Sequence, residues 1–455
     1  MLLTKDKTFY KSFFSLYWVL VLNNIIVLGV GLADNIMIGA YNEAALSGVA
    51  SVNQLQFVFQ QIIMATGNGL VILASQYWGQ SRTEEIKKIG NCALFVGVSV
   101  SLILFLLAHF IPEKVVGLFT TSEAIIEKGV EYISIIKYTY PIFALTNVLL
   151  ACLRSVETVR IGFYVSVVTF FVNCGINYLL IGGNLGCPEL GVTGAAIGTL
   201  SARIMELVIV LTYVFAVDKK LKIKPNEFFI SDRNLMRDFS KTALPIILTG
   251  GMFGVSTALQ TVILGHMNDS AIAANSVATT LYQTLKVAAI GASSAASVII
   301  GKTIGMGDIK KLKEYTKTLQ IMFVAIGTVM SVSLYFLRFP ILSLYDDLTL
   351  ETKLLAESFI LVLCVTGFGT AYEMPTLVGI VQGGGDSKFL LKNDFISIWL
   401  IVLPLSFLAA FVFDWSPAIV VFCLNLDQLF KCIPAYIKVN SYTWMKKLTR
   451  SEDAV

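Results

Sequence analysis

The sequence predicts an all-α integral membrane protein with twelve transmembrane helices in two pseudo-symmetric six-helix bundles. Of the 455 residues, 56% are hydrophobic and 14% are charged, and the mean hydropathy is +0.76. A soluble domain usually carries about 25% charged residues, so this composition favours a membrane protein. The apolar residues form unbroken blocks, such as 96–110 and 321–337, whereas barrel strands would alternate apolar and polar residues. A third observation is an internal repeat that divides the chain into two halves.

The predicted spans follow the apolar blocks, each of which approaches the roughly 20 residues that a helix needs to cross about 30 Å of hydrocarbon. The first span carries no small-residue cleavage site after a short apolar core, so we expect it to stay in the protein as the insertion signal. The spans lie near 12–39, 47–78, 90–111, 129–153, 162–183, 192–217, 240–267, 273–304, 316–338, 354–381, 391–413 and 416–437.

The basic residues are distributed unevenly between the segments that connect these spans. If both termini are cytoplasmic, that side receives most of them, including the basic loop from Lys219 to Lys241. The opposite side receives only Lys114, Lys128, Arg338 and Lys353. This asymmetry follows the positive-inside rule and predicts a multi-pass protein of the plasma membrane with both termini in the cytoplasm. The basic loops are short and lie on one side of the bilayer, so we expect the lipid bilayer and no nucleic acid as their partner.

The internal repeat has a period of about 226 residues. Three pairs of segments align in the same order: 39–46 with 265–272, 74–88 with 300–314, and 154–160 with 382–388 after a slip of two residues. The repeat predicts an N-terminal bundle at 1–217, a cytoplasmic linker at 218–239, a C-terminal bundle at 240–437 and a cytoplasmic tail at 438–455. Six spans per half relate the halves by an axis along the membrane normal, as in transporters whose substrate binds between two rocking bundles. A duplicated channel without coupled transport is the alternative.

Asp34 is the clearest candidate for an ion-coupling residue. It lies within the apolar run 25–39 of the first span, where a charged side chain costs about 2.5–3.5 kcal/mol on insertion scales and is therefore a candidate functional group. Its repeat partner is Gln260, so one half carries an ionisable group where the other carries a neutral amide. This asymmetry suits one coupling site for a proton or Na⁺ rather than two. Alternatively, Asp34 lies near the outer interface and caps the turn before Tyr41.

Three polar residues of the fifth and sixth spans are candidates to share a site with Asp34. Asn173 and Asn177 are four residues apart, which places them on one face of a helix. Thr199 of the sixth span adds a hydroxyl oxygen. Carboxylate, amide and hydroxyl oxygens are the ligands of small hard cations. Hydrogen bonds that hold the helices together are the alternative explanation for these residues.

Other charged residues inside the spans give weaker indications. Arg203 and Glu206 have the spacing of a structural ion pair on one helical face. Lys286 in the eighth span and Glu373 in the tenth are expected to pair or to line a substrate cavity, where the Glu373 carboxylate would attract a cationic substrate. Gln260 is the third residue that we expect to line this cavity. Asp386 and Asp394 flank the start of the eleventh span, and we assign both to the cytoplasmic surface.

The sequence offers little support for an enzyme. The segment 296–303 matches a relaxed nucleotide-binding loop pattern, but it lacks the glycine-rich turn after a strand and lies inside a predicted helix. The two histidines, His109 and His266, do not have metal-ligand spacing. No pairing of a nucleophile with a base stands out. We therefore expect no enzymatic activity, no nucleotide, no cofactor and no metal beyond a possible Na⁺.

Five motifs in order resemble the multidrug and toxic compound extrusion (MATE) family over nearly the whole chain. They are LADNIMIGAYNEAALSGVA at 32–50, ASQYWGQ at 74–80, NCGINYLLIGGNLGCPELGVTGAAIGTLSAR at 173–203, QGGGDSKFLLKNDFISIWLIVLPLSF at 382–407 and LDQLFKCIPAYIKVNSYTWMKKLTR at 426–450.

The resemblance implies a V-shaped central cavity and exchange of drugs for cations. It also implies that Asp34 is the first-span acid of the family and that Asn173, Asn177 and Thr199 belong to the cation network of one branch. That branch has an Asp where this chain has Asn177, and another branch uses acids in the seventh and tenth spans. Here only Glu373 approximately matches the tenth-span acid, so we place the coupling site in the first half.

Taken together, these residues predict secondary active efflux of small organic cations or amphiphiles in exchange for H⁺ or Na⁺. Alternating access between the two bundles would carry the substrate across, and the working unit would be a monomer. The alternatives are a flippase for lipids or glycan-lipids, which would have a larger and more basic cavity, and a non-coupled channel.

Overall fold

The computed structural model describes residues 3–120, 122–228, 232–265, 267, 269–343 and 349–450, and its regular elements there are all helices. Long apolar stretches explain this, because a backbone in hydrocarbon must satisfy its hydrogen bonds within the same segment. The α-helices are α1 (Lys7–Tyr41), α2 (Glu43–Gly79), α3 (Thr83–Phe110), α4 (Pro112–Val116), α5 (Glu123–Ile136), α6 (Thr139–Ser155), α7 (Arg160–Ile181), α8 (Gly191–Thr212), α9 (Arg233–Gly265), α10 (Asp269–Met306), α11 (Ile309–Leu342), α12 (Leu350–Met374), α13 (Ser387–Asp394), α14 (Leu403–Phe411), α15 (Pro417–Leu424), α16 (Asp427–Phe430) and α17 (Cys432–Ser441).

The predicted all-α membrane architecture is confirmed. In the described ranges, 11 helices are long and apolar enough to cross a membrane, and a bent pair brings the number to 12. The bent pair is α5 and α6, whose axes differ by 51°. Lys137 lies at this break, and its Nζ is 3.1 Å from Nδ1 of His109. The predicted fourth span is therefore a broken helix rather than a continuous one.

Two spans of the second half contain segments of wider, π-helical turns. One is Pro375–Gln382, which continues α12, and the other is Phe395–Val402, which joins α13 to α14. Pro375 has no backbone N–H to donate to the preceding turn, which explains why the regular helix ends at Met374. Such segments inside helices often mark functional sites, and the segment Pro375–Gln382 begins two residues after Glu373.

The described chain forms two compact units. The first unit is Leu22–Ile247, and the second comprises Met1–Val21 and Leu248–Ala454. Each unit has its own apolar core. The core of the first unit includes Ile38, Ile63, Ile133 and Tyr140. The core of the second unit is formed by many residues of α10, α12 and α15. The boundaries that we predicted for the bundles stay a prediction.

Close helix contacts explain why α1 and α9 are each divided between the units. In the second unit, Gly291 packs so closely on α1 that a Cβ there would be 2.6 Å from Cγ2 of Val21. In the first unit, a Cβ on Gly69 would be 2.7 Å from Cβ of Ala243 in α9. Glycine at both positions removes the side chain that would hold the helices apart.

The segment after the last span of each half folds back onto a turn of its own unit. In the first unit, Lys220 donates to the carbonyl oxygen of Val156 and lies over the ring of Trp78. In the second unit, the backbone N–H of Lys446 donates to the carbonyl oxygen of Gly384 at 3.0 Å. Lys220 and Lys446 are separated by the repeat period, so the duplication includes these two contacts.

The contact in the second unit is reinforced by Trp444 and Asp386. Trp444 is fully buried and covers Gly384 so closely that any Cβ there would overlap the indole ring. Asp386 accepts from Lys438 at 2.8 Å and from Lys446 at 2.7 Å. Partial burial raises the pKa of the Asp386 carboxyl, but the hydrogen bonds from the two lysines lower it more, so that the carboxyl remains ionised at neutral pH.

Candidate functional site

Asp34 forms a direct hydrogen bond to one of the residues that the sequence grouped with it. The side-chain amide Nδ2 of Asn177 donates to Oδ1 of Asp34 at 2.6 Å. Asp34 comes from α1 and Asn177 from α7, so the contact joins two spans of the first unit. The helix continues beyond Asp34 to Tyr41, and the cap of the next helix is Asn42. Asp34 is therefore not a capping residue.

The other two predicted residues continue the same network. Nδ2 of Asn177 also lies 3.4 Å from Oδ1 of Asn173, and Nδ2 of Asn173 lies 3.4 Å from Oγ1 of Thr199 in α8. Asn173 and Asn177 are 1% and 0% exposed, as expected for residues on one inward face of α7. Four residues from three helices therefore form one chain of polar contacts that ends at a carboxylate.

This network leaves one buried acceptor without a partner. Oδ1 of Asn177 is buried and accepts no hydrogen bond from the described residues. A buried acceptor without a partner costs about 1–3 kcal/mol, and this one packs against the backbone of Gly198 at the edge of the site. Its oxygens from a carboxylate, two amides and a hydroxyl match the donor set of a small hard cation, and a proton on Asp34 would equally neutralise the charge. The site therefore has the chemistry to bind either Na⁺ or a proton.

Asp34 has no fixed positive partner within the ranges that the structure describes. Arg203 of α8 attracts the carboxylate from a distance, but its Nη1 is 2.6 Å from Oε2 of Glu206. The guanidinium also lies 4.9 Å from the ring centroid of Phe143. The predicted ion pair of Arg203 and Glu206 is thus confirmed, and it keeps Arg203 engaged elsewhere. The described part of the protein therefore supplies no cation in contact with the Asp34 carboxylate, and an exchangeable cation can balance its charge instead.

The site lies closer to one end of its helices than to their middle. Asp34 is about two turns before the end of α1, and Asn177 is about one turn before the end of α7. Thr199 is about two turns after the start of α8. Since these ends lie on the same side of the unit, the site sits about 10 Å inside that side rather than at the helix midpoints.

Sequence reasoning missed Gly198, which sets the distance between α7 and α8. A Cβ at Gly198 would overlap Oδ1 of Asn177, and a Cβ at Gly194 would be 2.6 Å from the carbonyl oxygen of Leu180. The two glycines are four residues apart and form the G-x-x-x-G pattern that allows close helix packing in membranes. That pattern was the available signal. Tyr132, which is buried beside Thr199, gave no comparable signal.

The residues predicted for a substrate cavity all lie in the second unit. Lys286 and Glu373 are half-buried and close enough to attract each other, but they form no ion pair within the described part of the chain. The Lys286 ammonium lies 5.7 Å from the ring centroid of Tyr282 and 6.0 Å from that of Phe253. Gln260 lies on α9, and the described hydrogen bonds do not join it to either charge.

Asp394 was misplaced by the sequence, and Asp427 and Lys431 were overlooked. The Lys431 ammonium lies 2.9 Å from Oδ1 of Asp394 and 2.9 Å from Oδ2 of Asp427. Asp394 is about two turns inside the eleventh span, where it forms part of a buried cluster rather than the surface. Asp386 lies outside the spans, but it is only 6% exposed and accepts from Lys438 and Lys446, so its assignment to the surface was wrong as well. Asp427 and Lys431 are four residues apart, so their pairing on one helical face could have been read from the sequence, but Asp394 is distant from them along the chain.

Comparisons with known proteins agree on one family. The MatE family model matches residues 20–179 and 245–408. The chain is 22% identical over 436 residues to the "Probable multidrug resistance protein NorM" of Thermotoga maritima. The alignment covers 95% of this chain and 92% of that protein. It is also 21% identical over 450 residues to the "Uncharacterized transporter YisQ" of Bacillus subtilis, with 97% and 96% covered.

Solved structures show the same fold. The Vibrio cholerae MATE transporter VcmN in its bent form superposes with a TM-score of 0.84 at 16% identity, over 95% of this chain and 97% of that one. A MOP superfamily transporter from Pyrococcus furiosus superposes with a TM-score of 0.86 at 15% identity, over 98% of this chain and 100% of the other. With the family match covering most of both halves, this chain belongs to the MatE (multidrug and toxic compound extrusion) family and is a multi-span membrane transporter rather than an enzyme.

Proposed function

We propose that this transporter exports small organic cations and other amphiphiles from the cell in exchange for H⁺ or Na⁺ bound at Asp34. The observation that carries the proposal is the Asp34–Asn177–Asn173–Thr199 network, which joins two buried asparagines and a threonine to a carboxylate that has no cationic partner among the described residues. The relatives named as multidrug resistance proteins support organic substrates. We place the protein in the plasma membrane as a monomer. The distribution of Lys and Arg supports an orientation with both termini in the cytoplasm.

The proposed cycle depends on different affinities of two states for ion and substrate. With Asp34 ionised, the state open to the cytoplasm binds a lipophilic cation. The bundles then rearrange by alternating access, and a proton or Na⁺ reaches Asp34 from the outside. Neutralising that carboxylate lowers the affinity for the cationic substrate, which leaves. Such coupling requires only that each ligand favours one state, and the coupling free energy is typically about 1–3 kcal/mol.

Glu373, Lys286 and Gln260 are the residues that we propose for substrate binding in the second unit. Glu373 supplies a carboxylate for a positive charge, and the ring of Phe253, which is 41% exposed and lies 6.0 Å from the Lys286 ammonium, supplies apolar contact area. Aromatic surface beside a few polar groups is typical of sites that bind amphiphilic small molecules. Gln260 adds a neutral amide from a different helix.

Transport by purified protein in liposomes tests the function. A lipophilic cation such as tetraphenylphosphonium is loaded, and its movement is followed with a pH gradient alone, with a Na⁺ gradient alone, and with neither. We expect one of the two gradients to drive the cation against its own concentration gradient. Liposomes without protein are the control. Movement beyond that of the protein-free liposomes that only follows the cation's own gradient, whichever ion gradient is imposed, would contradict the proposal.

Glu373→Gln is expected to weaken binding of tetraphenylphosphonium about tenfold, since about 1.4 kcal/mol of attraction to a cation is lost. Binding of an uncharged amphiphile of similar size should change little. Equilibrium binding to purified protein measures both. Glu351→Gln is the matched control, because Glu351 lies in the first turn of the same helix and is exposed. Equal losses for the charged and uncharged compounds would show that Glu373 acts through structure and not through charge.

A further inference from the structure

The second unit holds a buried ammonium between two carboxylates. Lys431 is 5% exposed, and its Nζ is 2.9 Å from both Asp394 and Asp427. Asp394 comes from the eleventh span, whereas Asp427 is one turn before Lys431 in the twelfth. A lysine side chain thus links two spans through charge-assisted hydrogen bonds, which are about twice as strong as neutral ones.

The lysine places a positive charge within hydrogen-bond distance of both carboxylates. Two neighbouring carboxylates in a buried site cannot both carry a charge unless a cation lies between them. A proton, a bound Na⁺ or an ammonium can provide that charge, and here the ammonium is covalently attached to the chain. Removing it would leave two acidic side chains that are 17% and 13% exposed without their counter-ion. Buried charges without partners are costly, so another cation should take its place.

The two units differ in how their acids are neutralised, although both use their fifth and sixth spans. In the first unit, Asp34 contacts neutral amide groups on α7, and the nearby Arg203 is engaged by Glu206. In the second unit, the carboxylates are already in contact with an ammonium. The first site is therefore open to an exchangeable cation, while the second is filled by part of the protein.

The surroundings of Lys431 are acidic enough to hold a cation in its place. Glu373 of α12 and Lys286 of α10 are the other charged groups that act on it. With Lys431 present, three carboxylates face two ammonium groups, and without it they face one. A neutral group also lies near these charges: the hydroxyl of Tyr282 contacts Oγ1 of Thr370 at 2.8 Å and Oε1 of Gln428 at 3.0 Å.

We propose that Lys431 is a tethered counter-ion that permanently occupies a monovalent cation site in the second unit. Exchange of the coupling ion is thereby confined to the Asp34 site of the first unit. The second half of this statement rests on the function proposed for Asp34, whereas the occupancy of the second site by Lys431 does not.

Binding of Na⁺ to purified protein tests the proposal in an Asp34→Asn background, which removes the first site. At about pH 8.5, where carboxylates are normally ionised, we expect Asp34→Asn alone and Asp34→Asn with Lys431→Arg to bind no Na⁺. Asp34→Asn with Lys431→Met should bind one Na⁺ per protein and release it at about pH 5, where protons compete. Radioactive ²²Na⁺ retained by the protein gives the stoichiometry directly.

Adding Asp427→Asn to the Lys431→Met variant provides the matched control, because it removes one negative charge together with the positive one. This variant should lose the new Na⁺ site, with an affinity at least about tenfold weaker. Thermal unfolding identifies any variant that is not folded. Folded Lys431→Met protein that binds no Na⁺ would overturn the proposal, as would Na⁺ binding by Asp34→Asn alone. Comparison of Asp34→Asn with the unsubstituted protein reports separately on the Asp34 site.

Discussion

Asp34→Asn is expected to reduce gradient-driven efflux about 100-fold, which is the upper range of the coupling between two ligands. Asparagine has nearly the same shape as aspartate, and its Oδ1 can still accept the hydrogen bond from Nδ2 of Asn177. The substitution therefore removes the charge and largely keeps the contact between α1 and α7. Without an ionisable group, the site can no longer alternate between binding and releasing a proton, and it binds Na⁺ more weakly because the carboxylate is lost.

Liposome transport under the ion gradient that drives the unsubstituted protein measures this loss. Asp218→Asn is a suitable control, because Asp218 lies outside the spans and binds the backbone of its own turn, at Leu221 and Lys222. In the absence of a gradient, Asp34→Asn should bind the cationic substrate more weakly, because its neutral side chain corresponds to the ion-bound state, but it should still bind an uncharged amphiphile, since the cavity residues proposed for the second unit are unchanged. Unchanged efflux by normally inserted Asp34→Asn protein would exclude Asp34 as the coupling residue.

Gly198→Ala is expected to abolish coupling by a steric route. The added methyl group would overlap Oδ1 of Asn177, so either the amide rotates away or α7 and α8 move apart. Both outcomes break the contact of Asn177 with Asp34, and overpacking of this kind typically costs about 1–3 kcal/mol. We expect efflux to fall to nearly the level of Asp34→Asn and the melting temperature in detergent to decrease.

Gly175→Ala is the matched control for this prediction. Gly175 lies between the two asparagines on α7, and a Cβ there would meet nothing within 4 Å. Alanine is about 1 kcal/mol more favourable than glycine inside a helix, so this variant should be at least as stable and should transport normally. If Gly198→Ala transported as well as Gly175→Ala, close packing against Asn177 would not be needed for coupling.

The sequence was sufficient for the architecture because the bilayer restricts what a chain can form. Unbroken apolar blocks predicted helical spans, and 11 helices with one bent pair were found in the described residues. The break at Lys137 was not foreseen, since an apolar block looks the same whether its helix is straight or bent. The G-x-x-x-G pattern at Gly194 and Gly198 was visible in the sequence, but its partner on α7 was not.

The candidate site, too, was predictable from the sequence only in part, and the tertiary structure decided the rest. An acid in an apolar run and two asparagines four residues apart identified Asp34, Asn173 and Asn177, because buried polar groups in lipid require partners. Only the tertiary structure decided which groups meet: it joined Asn177 to Asp34, paired Arg203 with Glu206, and brought Lys431 between two carboxylates. Hydropathy and helical periodicity are properties of one segment and can be read along the chain. The neutralisation of a buried charge depends on distances between segments, which helix packing alone determines.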